Sequence, residues 1–272
     1  MTAIQEKEIK LLTSPITGRY SSKRFAAAFG VPIHKIPVVF YLLKGSYTKA
    51  KVIHLLWTLH FLKTYPTEIL GSAAWRTDTK TWAKYIRQTI EQLLVVLPDY
   101  DWEGRFDDCI LENCCSVIDV TRVQVQKPKV NQGLFYSAKD KFHPLKFEVV
   151  VTIANPRIIW VNGGFPGSKS DITIAREDLL TNLAEGERVL GDLGYRGREN
   201  ALWTPFLNPR FDQETGMNVE HSRIRQVVER MNQRLKIFDC LKSVWRHEHL
   251  FLQQCFNVIA KLTNLVLISQ PL

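Results

Sequence analysis

The sequence predicts a mixed α/β domain preceded by a helical N-terminal region. The segments 117–125 and 147–153 alternate with a period of two, which is typical of strands that bury one face. Most of the first hundred residues instead carry apolar side chains at helical spacing, interrupted by glycine and proline. The predicted order in the second half is strand, strand, strand, helix, strand, helix, which is typical of a sheet covered by helices.

Four helices are predicted in the N-terminal region, over residues 22–29, 33–43, 50–63 and 79–97. Ser21 or Ser22 is expected to cap the first helix, and Gly30 and Pro32 are expected to end it. A helix, a short turn with glycine and a second helix suit a helix-turn-helix DNA-binding unit, but such a pair is common in any helical domain. Pro37 is compatible with a regular second helix only in its first turn.

The second half is expected to form the sheet. Asp119 lies on the apolar face of the first strand, 117–125, whereas Arg122 lies on the opposite face. A helix capped by Ser168 or Ser170 is expected between the third and fourth strands. These later elements are predicted over residues 158–162 for the third strand, 171–184 for the helix and 187–192 for the fourth strand.

A domain boundary is predicted at residues 98–101, which separates a domain over 1–100 from one over 105–272. Residues 1–100 contain 14 lysines and arginines against 6 acidic residues, whereas residues 101–272 contain 22 against 21. The excess positive charge is therefore almost entirely N-terminal. This distribution favours a DNA-holding module ahead of a near-neutral catalytic one. An ordinary solvated helical surface is the alternative.

Composition excludes several classes of protein. The chain has 272 residues, 45% of them hydrophobic, which is enough for a substantial core. No apolar run has the length of a membrane span, and the N-terminus lacks the apolar segment of a signal peptide. The five cysteines lack metal-ligand spacing and are expected to be buried, reduced thiols of an intracellular protein. The net charge of +9 suits a polyanionic partner.

Three acidic residues are candidates for a metal site. Asp119 and Asp192 each follow or interrupt an apolar strand, and Glu229 lies in a helical segment 37 residues after Asp192. Carboxylates are the ligands that paired divalent cations need to hold a phosphodiester. Each also has a structural interpretation, which for Asp119 is a salt bridge to Arg122, although that side chain is expected on the other face of the strand. Asp192 suits a plain turn before Gly194, and Glu229 suits a solvated ion pair with Arg225.

The segments around these residues resemble the Harbinger-type branch of the DDE transposases, in the order that this family shows. The matching blocks cover roughly residues 110–272 and are Ile118-Asp119-Val120-Thr121, Tyr136 to Phe147, Gly164 to Asp171, Gly191-Asp192-Leu193-Gly194-Tyr195 and Arg223 to Lys236. The resemblance implies a ribonuclease-H-like nuclease domain after an all-helical, helix-turn-helix-like domain. In that fold the first and fourth strands are parallel neighbours, which would bring Asp119 and Asp192 together.

The resemblance also implies a catalytic site. Asp119, Asp192 and Glu229 would hold two divalent cations, Mg²⁺ or Mn²⁺, with Asp171 as an auxiliary ligand. An acidic residue such as Asp171 in the first turn of a helix also simply complements the helix dipole. The chain departs from the family at three positions beside these acids: Val120 and Arg122 replace glycine and histidine, and Ser170 replaces histidine.

Basic side chains cluster where a DNA substrate would pass. Phosphate contacts are predicted for Lys127, Lys129, Lys139, Lys141, Lys146, Arg223, Arg230 and Arg234. Such contacts position DNA without reading its sequence. A solvated hairpin edge is the alternative interpretation of the lysines.

The function predicted from the sequence is a metal-dependent DNA endonuclease and transposase, or a domesticated derivative, acting on double-stranded DNA. An inactive DNA-binding or scaffold protein is the main alternative, and a cellular nuclease that does not transpose is a weaker one. The resemblance implies a nuclear protein in a eukaryote, often with a Myb-like DNA-binding partner. No membrane association is expected, and the oligomeric state, including a homo-oligomer, stays open.

Overall fold

Six helices occupy the N-terminal region of the computed structural model, which describes residues 6–107, 109–197 and 200–272. They are α1 (Glu6–Thr17), α2 (Ser22–Phe29), α3 (Ile36–Ser46), α4 (Val52–Thr64), α5 (Glu68–Ala74) and α6 (Thr79–Val96). Ser21 caps α2 by accepting a hydrogen bond from the backbone N–H of Arg24, and Gly30 ends it in the left-handed conformation. Pro37 lies in the first turn of α3, where its missing N–H removes no helical hydrogen bond.

Five strands form one mixed sheet in the second half of the chain. They are β1 (Ser116–Gln124), β2 (Pro144–Thr152), β3 (Ile158–Pro166), β4 (Val189–Leu190) and β5 (Leu202–Trp203), and their spatial order is β3-β2-β1-β4-β5. The first three form an antiparallel meander, while β4 pairs in parallel with both β1 and β5. The predicted adjacency of the first and fourth strands is confirmed. The mixed sheet with its helices is compatible with a ribonuclease-H-like nuclease.

Three helices accompany the sheet: α7 (Gln132–Phe135), α8 (Asp171–Glu177) and α9 (Asp212–Leu235). Of the two predicted capping residues, Ser168 and Ser170, it is Ser170 that caps α8. The helix predicted over 171–184 is shorter, because its regular part ends at Glu177 and a 3₁₀ turn follows over Leu179–Thr181. One face of the sheet packs on α8 in a core that contains Ile118, Val120, Val150, Ile174, Ala175 and Tyr195.

The chain divides into two compact units whose limits differ from the predicted domains 1–100 and 105–272. One unit contains the described residues up to Asp99 together with Leu235–Gln270, and the other contains Tyr100–Arg234 and the last two residues. The C-terminal helices α10 (Asp239–Lys242) and α11 (His249–Leu267) thus belong with the N-terminal helices.

The physical reason is the apolar surface of α11, which packs on α6, while α10 packs on α4. Twelve of the nineteen residues of α11 are buried. The helix is long and apolar enough to cross a membrane, but about two thirds of its apolar window is buried inside the protein, as in the core helix of a soluble domain. The apolar character of α11 is therefore explained by packing.

The cysteines correct one expectation. Cys109 and Cys115 form a disulfide, although all five cysteines were expected to be reduced thiols. The two are only six residues apart, and the turn between them, with Asn113 in the left-handed conformation, brings their Cα atoms to 4.8 Å. The remaining three, Cys114, Cys240 and Cys255, are buried free thiols as predicted.

Candidate active site

Asp119 and Asp192 lie at equivalent positions of two neighbouring parallel strands. The last residues that pair between β1 and β4 are Val117 and Leu190, and each aspartate is two residues further along its chain. Asp119 therefore lies within β1, where it pairs with Val149 of β2, whereas Asp192 lies just beyond the carboxyl end of β4. The carboxyl ends of strands are where open α/β sheets bind their ligands. The residues between the two aspartates in sequence form β2, β3 and α8 without separating them in space.

The two carboxylates affect each other electrostatically. Burial raises the pKa of Asp119 to about 6, and the negative charge of Asp192 adds to this increase, while the Arg225 cation opposes it. Asp192 is held in place because its Oδ1 accepts a hydrogen bond of 2.8 Å from the backbone N–H of Gly194. A half-buried carboxylate beside a second negative charge is an arrangement that a cation would stabilise.

Helix α9 supplies the other polar groups around Asp119. The Nδ2 of Asn232 donates a hydrogen bond of 2.7 Å to Asp119 Oδ2. The Oδ1 of Asn232 and the Nε of Arg225 are buried and have no hydrogen-bond partner among the residues that the structure describes. Residues 225, 229 and 232 follow one another at helical spacing, so that Arg225, Glu229 and Asn232 lie on neighbouring turns.

Glu229 is not brought together with the two aspartates. More than half of its side-chain surface is exposed, at 55%, and its Oε1 lies 3.7 Å from Arg225 Nη2. This is the solvated ion pair that the sequence left open as an alternative. In the described part of the chain, no three acidic, histidine or cysteine side chains are close enough to hold one metal ion. The structure therefore unites two of the three predicted ligands.

Asp171, the predicted auxiliary ligand, lies in a network of ion pairs. Its Oδ1 is 3.0 Å from Lys146 Nζ, and its Oδ2 is 3.2 Å from Arg122 Nη2. Arg122 also pairs with Asp140 at 3.3 Å. A Cβ added at Gly194 would lie 3.3 Å from Asp171 Oδ2 and 2.9 Å from Asp192 Oδ1, so the two carboxylates border the same small space. Asp171 is thus close to the site, with its charge already balanced by two cations.

The basic residues predicted to contact DNA differ in exposure. Lys127, Lys129, Lys139 and Lys141 are exposed, whereas Lys146 is buried, at 6% exposure. Because Lys146 donates to Asp171 and to the carbonyl of Lys169, it is not available to an external phosphate. On α9, the predicted contacts Arg223 and Arg230 are exposed and Arg234 is half-buried.

Sequence reasoning did not single out two further groups near the site. Asn232, which contacts Asp119, is polar and lies in a helical pattern dominated by its apolar stripe, so only its spacing from Arg225 and Glu229 was a signal. Glu148 lies in the buried strand β2, where Trp160 Nε1 donates to its Oε1 at 3.2 Å. Burial raises the pKa of Glu148 to about 8, against the lowering effect of the Trp160 hydrogen bond.

Two comparisons with known proteins found relatives of this chain. The family model described as DDE superfamily endonuclease matches residues 118–264, which contain Asp119, Asp192 and Glu229. The chain is also 31% identical over 155 residues to a probable transposase for insertion sequence element IS702 from Microchaete diplosiphon. That match covers 54% of this chain and 55% of the relative, so the chain spans about half the length of the curated relative.

No solved structure matches the chain. The family match nevertheless covers more than half of the chain, including the sheet from Ile118, the third residue of β1, onward and the helix α9. Asp119 and Asp192 both lie inside the matched region. On this evidence, the chain belongs to the DDE superfamily endonucleases.

Proposed function

We propose that this protein is a divalent-metal-dependent DNA endonuclease of the transposase type, which cuts phosphodiester bonds by a two-metal mechanism. The observation that carries the proposal is the aspartate pair. Asp119 and Asp192 each lie two residues beyond the last pair of the parallel β1–β4 ladder, and burial together with the charge of Asp192 raises the pKa of Asp119. Family membership and the transposase relative support DNA as the molecule that is cut.

The side chains at this edge of the sheet fit Mg²⁺ or Mn²⁺. Both ions prefer hard oxygen ligands, and two adjacent carboxylates supply them together with negative charge. The buried Oδ1 of Asn232, next to Asp119 and without a partner among the described residues, is a further oxygen donor. When bound, such cations activate water and neutralise negative charge on the phosphodiester.

The protein groups are proposed to orient this chemistry without forming a covalent bond to DNA. Asn232 fixes one oxygen of Asp119 through its 2.7 Å hydrogen bond, and Gly194 fixes one oxygen of Asp192. The remaining oxygens of both carboxylates are proposed to bind a shared ligand. Carboxylates held in this way need little rearrangement when a cation binds, which favours binding.

Glu229 is proposed to join the metal site after its ion pair with Arg225 is broken. The Arg225–Glu229 contact is long, at 3.7 Å, and the glutamate is mostly exposed, so breaking the pair costs on the order of 1 kcal/mol or less. The Nε of Arg225 is buried without a hydrogen-bond partner in the described part of the chain. A DNA phosphate would satisfy this guanidinium better than the distant carboxylate, and Glu229 would then be released.

A second function is favoured by one specific observation. Because Glu229 is exposed and no three-carboxylate cluster occurs among the described residues, the chain also suits an inactive DNA-binding or scaffold protein derived from a transposase. The Harbinger assignment, a nuclear location and a Myb-like partner stay predictions for either function.

Nicking of supercoiled plasmid DNA in Mn²⁺ tests the proposal, because it needs no knowledge of the natural target. The wild-type protein is expected to nick the plasmid and leave 3′-hydroxyl ends. Asp192→Asn and Glu229→Gln are each expected to lower the rate by about two orders of magnitude or more, since each removes a charge from the transition-state environment. DNA binding, measured separately, should change little.

The exposed Glu185 of the same unit offers a matched control. Glu185→Gln removes the same charge away from the site and should retain the wild-type nicking rate. Nicking that persists in all acidic-site variants would indicate a contaminant. If wild type and Glu229→Gln bind DNA but neither nicks it in Mg²⁺ or in Mn²⁺, the scaffold function is the correct one.

A further inference from the structure

A lysine-lined cavity lies in the helical unit. Its volume is about 730 Å³, within the range of roughly 300–1,000 Å³ that is common for ligand sites. One wall is formed by the end of α3 and the segment that follows it, over residues 46–51, and by His54 of α4. The other wall is one face of α6, from Lys84 to Gln92.

The cavity is positively charged and has no acidic counterpart. Four lysines line it, and no aspartate or glutamate is found among the described residues of its lining. Lys44 has a structural role, because its Nζ donates to the carbonyls of Thr48 and Ala50 and thereby fixes the wall segment. The other three lysines are exposed at the rim, and they are Lys49, Lys51 and Lys84.

Flat and amide side chains accompany these cations. The rings of His54 and Tyr85 are stacked, with centroids 3.7 Å apart and planes inclined by 18°. Gln88 and Gln92 follow Tyr85 on the same wall and offer both donors and acceptors. Cations at a rim, aromatic rings and amides are the combination with which proteins bind nucleic-acid strands whose bases are unpaired.

We propose that this cavity binds an unpaired stretch of a nucleic-acid strand, with its phosphates on Lys49, Lys51 and Lys84 and a base in the cavity beside Tyr85 and the two glutamines. A duplex suits the cavity less well, because its bases are stacked inside a convex helix and cannot enter a recess. The inference deepens the proposed function, since a strand frayed at a cut site is a product of DNA cleavage.

Binding of a labelled single strand of about 10 nucleotides, followed by fluorescence anisotropy, tests the inference. Two variants of the full chain carry the same change in charge. One is Lys49→Gln, Lys51→Gln, Lys84→Gln at the cavity, and the other is Lys7→Gln, Lys23→Gln, Lys80→Gln at exposed lysines of the same unit that do not line it. Thermal unfolding should be the same for both, because all six side chains are exposed.

The cavity variant is expected to bind the single strand at least about tenfold more weakly. The slope of its log affinity against log salt concentration should become shallower by about two, since three phosphate contacts each contribute roughly 0.7 to that slope. The surface variant should lose less than about threefold. Tyr85→Leu should weaken binding of the strand without changing the salt slope. An equal loss in both lysine variants would overturn the inference, because long-range charge alone would then explain binding.

Competitors separate this ligand from related ones. A blunt duplex should displace the labelled strand less well than an unlabelled single strand does. Inorganic phosphate should displace it no more than another salt at the same ionic strength. Stronger competition by the duplex, or full displacement by phosphate at low concentration, would each contradict an unpaired strand as the ligand. The binding experiment is done with a chelator and without divalent cations. Its result therefore does not depend on whether the protein cleaves DNA.

Discussion

Glu148 is a fully buried carboxyl group in the central part of β2, and its surroundings favour the protonated form. Burial is the largest cause, and the negative charges of Asp178 and Asp171 contribute further, so that the pKa is raised to about 8. One oxygen accepts from Trp160, and the other has no hydrogen-bond partner in the described part of the chain. The folded state therefore binds a proton that the unfolded chain releases at neutral pH.

This difference predicts how stability depends on pH. Because the folded-state pKa of Glu148 is raised from 4.5 to about 8, its stabilising contribution is complete below pH 4.5 and is lost as pH rises to about 8. Between pH 6.5 and 8 the free energy of unfolding should fall by on the order of 1–2 kcal/mol. Glu148→Gln, which keeps the acceptor for Trp160, should remove this fall. The measurement is urea denaturation at each pH.

The same titration of Glu185→Gln, an exposed residue of the same unit, should keep the wild-type pH dependence. A Glu148→Gln protein whose stability falls with pH as steeply as the wild type would contradict the assignment. Asp119, whose pKa is raised to about 6, loses its own contribution between pH 3.8 and 6 and so does not affect the chosen range.

At the scale of single residues, the sequence predicts those site residues that stand out in their local pattern. Asp119 interrupts an apolar strand and Asp192 follows one, and these patterns identify both residues. Asn232 and Glu148 are different, because their importance comes from contacts with Asp119 and Trp160 that are distant in sequence. The buried state of Lys146 likewise depends on Asp171, which the sequence places 25 residues away.

At the scale of elements, several long periodic segments and the short strand β4 were predicted, whereas the helices α1 and α5 were not. The helices α2, α4 and α6 and the strands β1 to β3 lie where the sequence pattern indicates. The two-residue strand β5 was missed, since two residues carry no detectable alternation. Helix α11 was not predicted, and its residues were placed in the second domain, 105–272, because a helical pattern does not specify which surface it covers.

Helix α11 provides a test of how the helical unit is built. Its fully buried side chains include Leu252, Cys255, Phe256 and Ile259, and it packs on α6. A fragment of residues 1–100 lacks these side chains, so the apolar face of α6 would be exposed to water. We expect this fragment to show no cooperative thermal unfolding in circular dichroism, although its sequence has high helical propensity.

A milder change avoids the ambiguity of truncation. Phe256→Ala in the full chain should lower the free energy of unfolding by about 3–5 kcal/mol, because the side chain is completely buried. Asn264→Ala in the same helix is half-buried and serves as the comparison, with a smaller expected loss. A 1–100 fragment that unfolds cooperatively at the temperature of the full chain would contradict the composition of this unit.

At the scale of the whole molecule, composition and charge predicted a protein of two parts, but not how the chain is shared between them. The +8 charge of residues 1–100 remains an argument for DNA binding in the helical unit, and the lysine-lined cavity is the location that we propose for an unpaired strand. The adjacency of β1 and β4, in contrast, was expected from the resemblance to the DDE transposases, and the structure contains it.

The central claim is that Asp119, within β1, and Asp192, just after β4, together bind divalent cations. Titration of Mn²⁺ into the protein by calorimetry tests it most directly, since it depends on neither the DNA target nor the cleavage step. Wild type should bind Mn²⁺ at pH 7.5 and more weakly at pH 5.5, because the pKa of Asp119 is about 6 and a protonated carboxyl is a poor ligand. Asp119→Asn and Asp192→Asn should each lower the affinity at least about tenfold, and Glu185→Gln should not. Equal Mn²⁺ affinity in the wild type and both aspartate variants would contradict the claim.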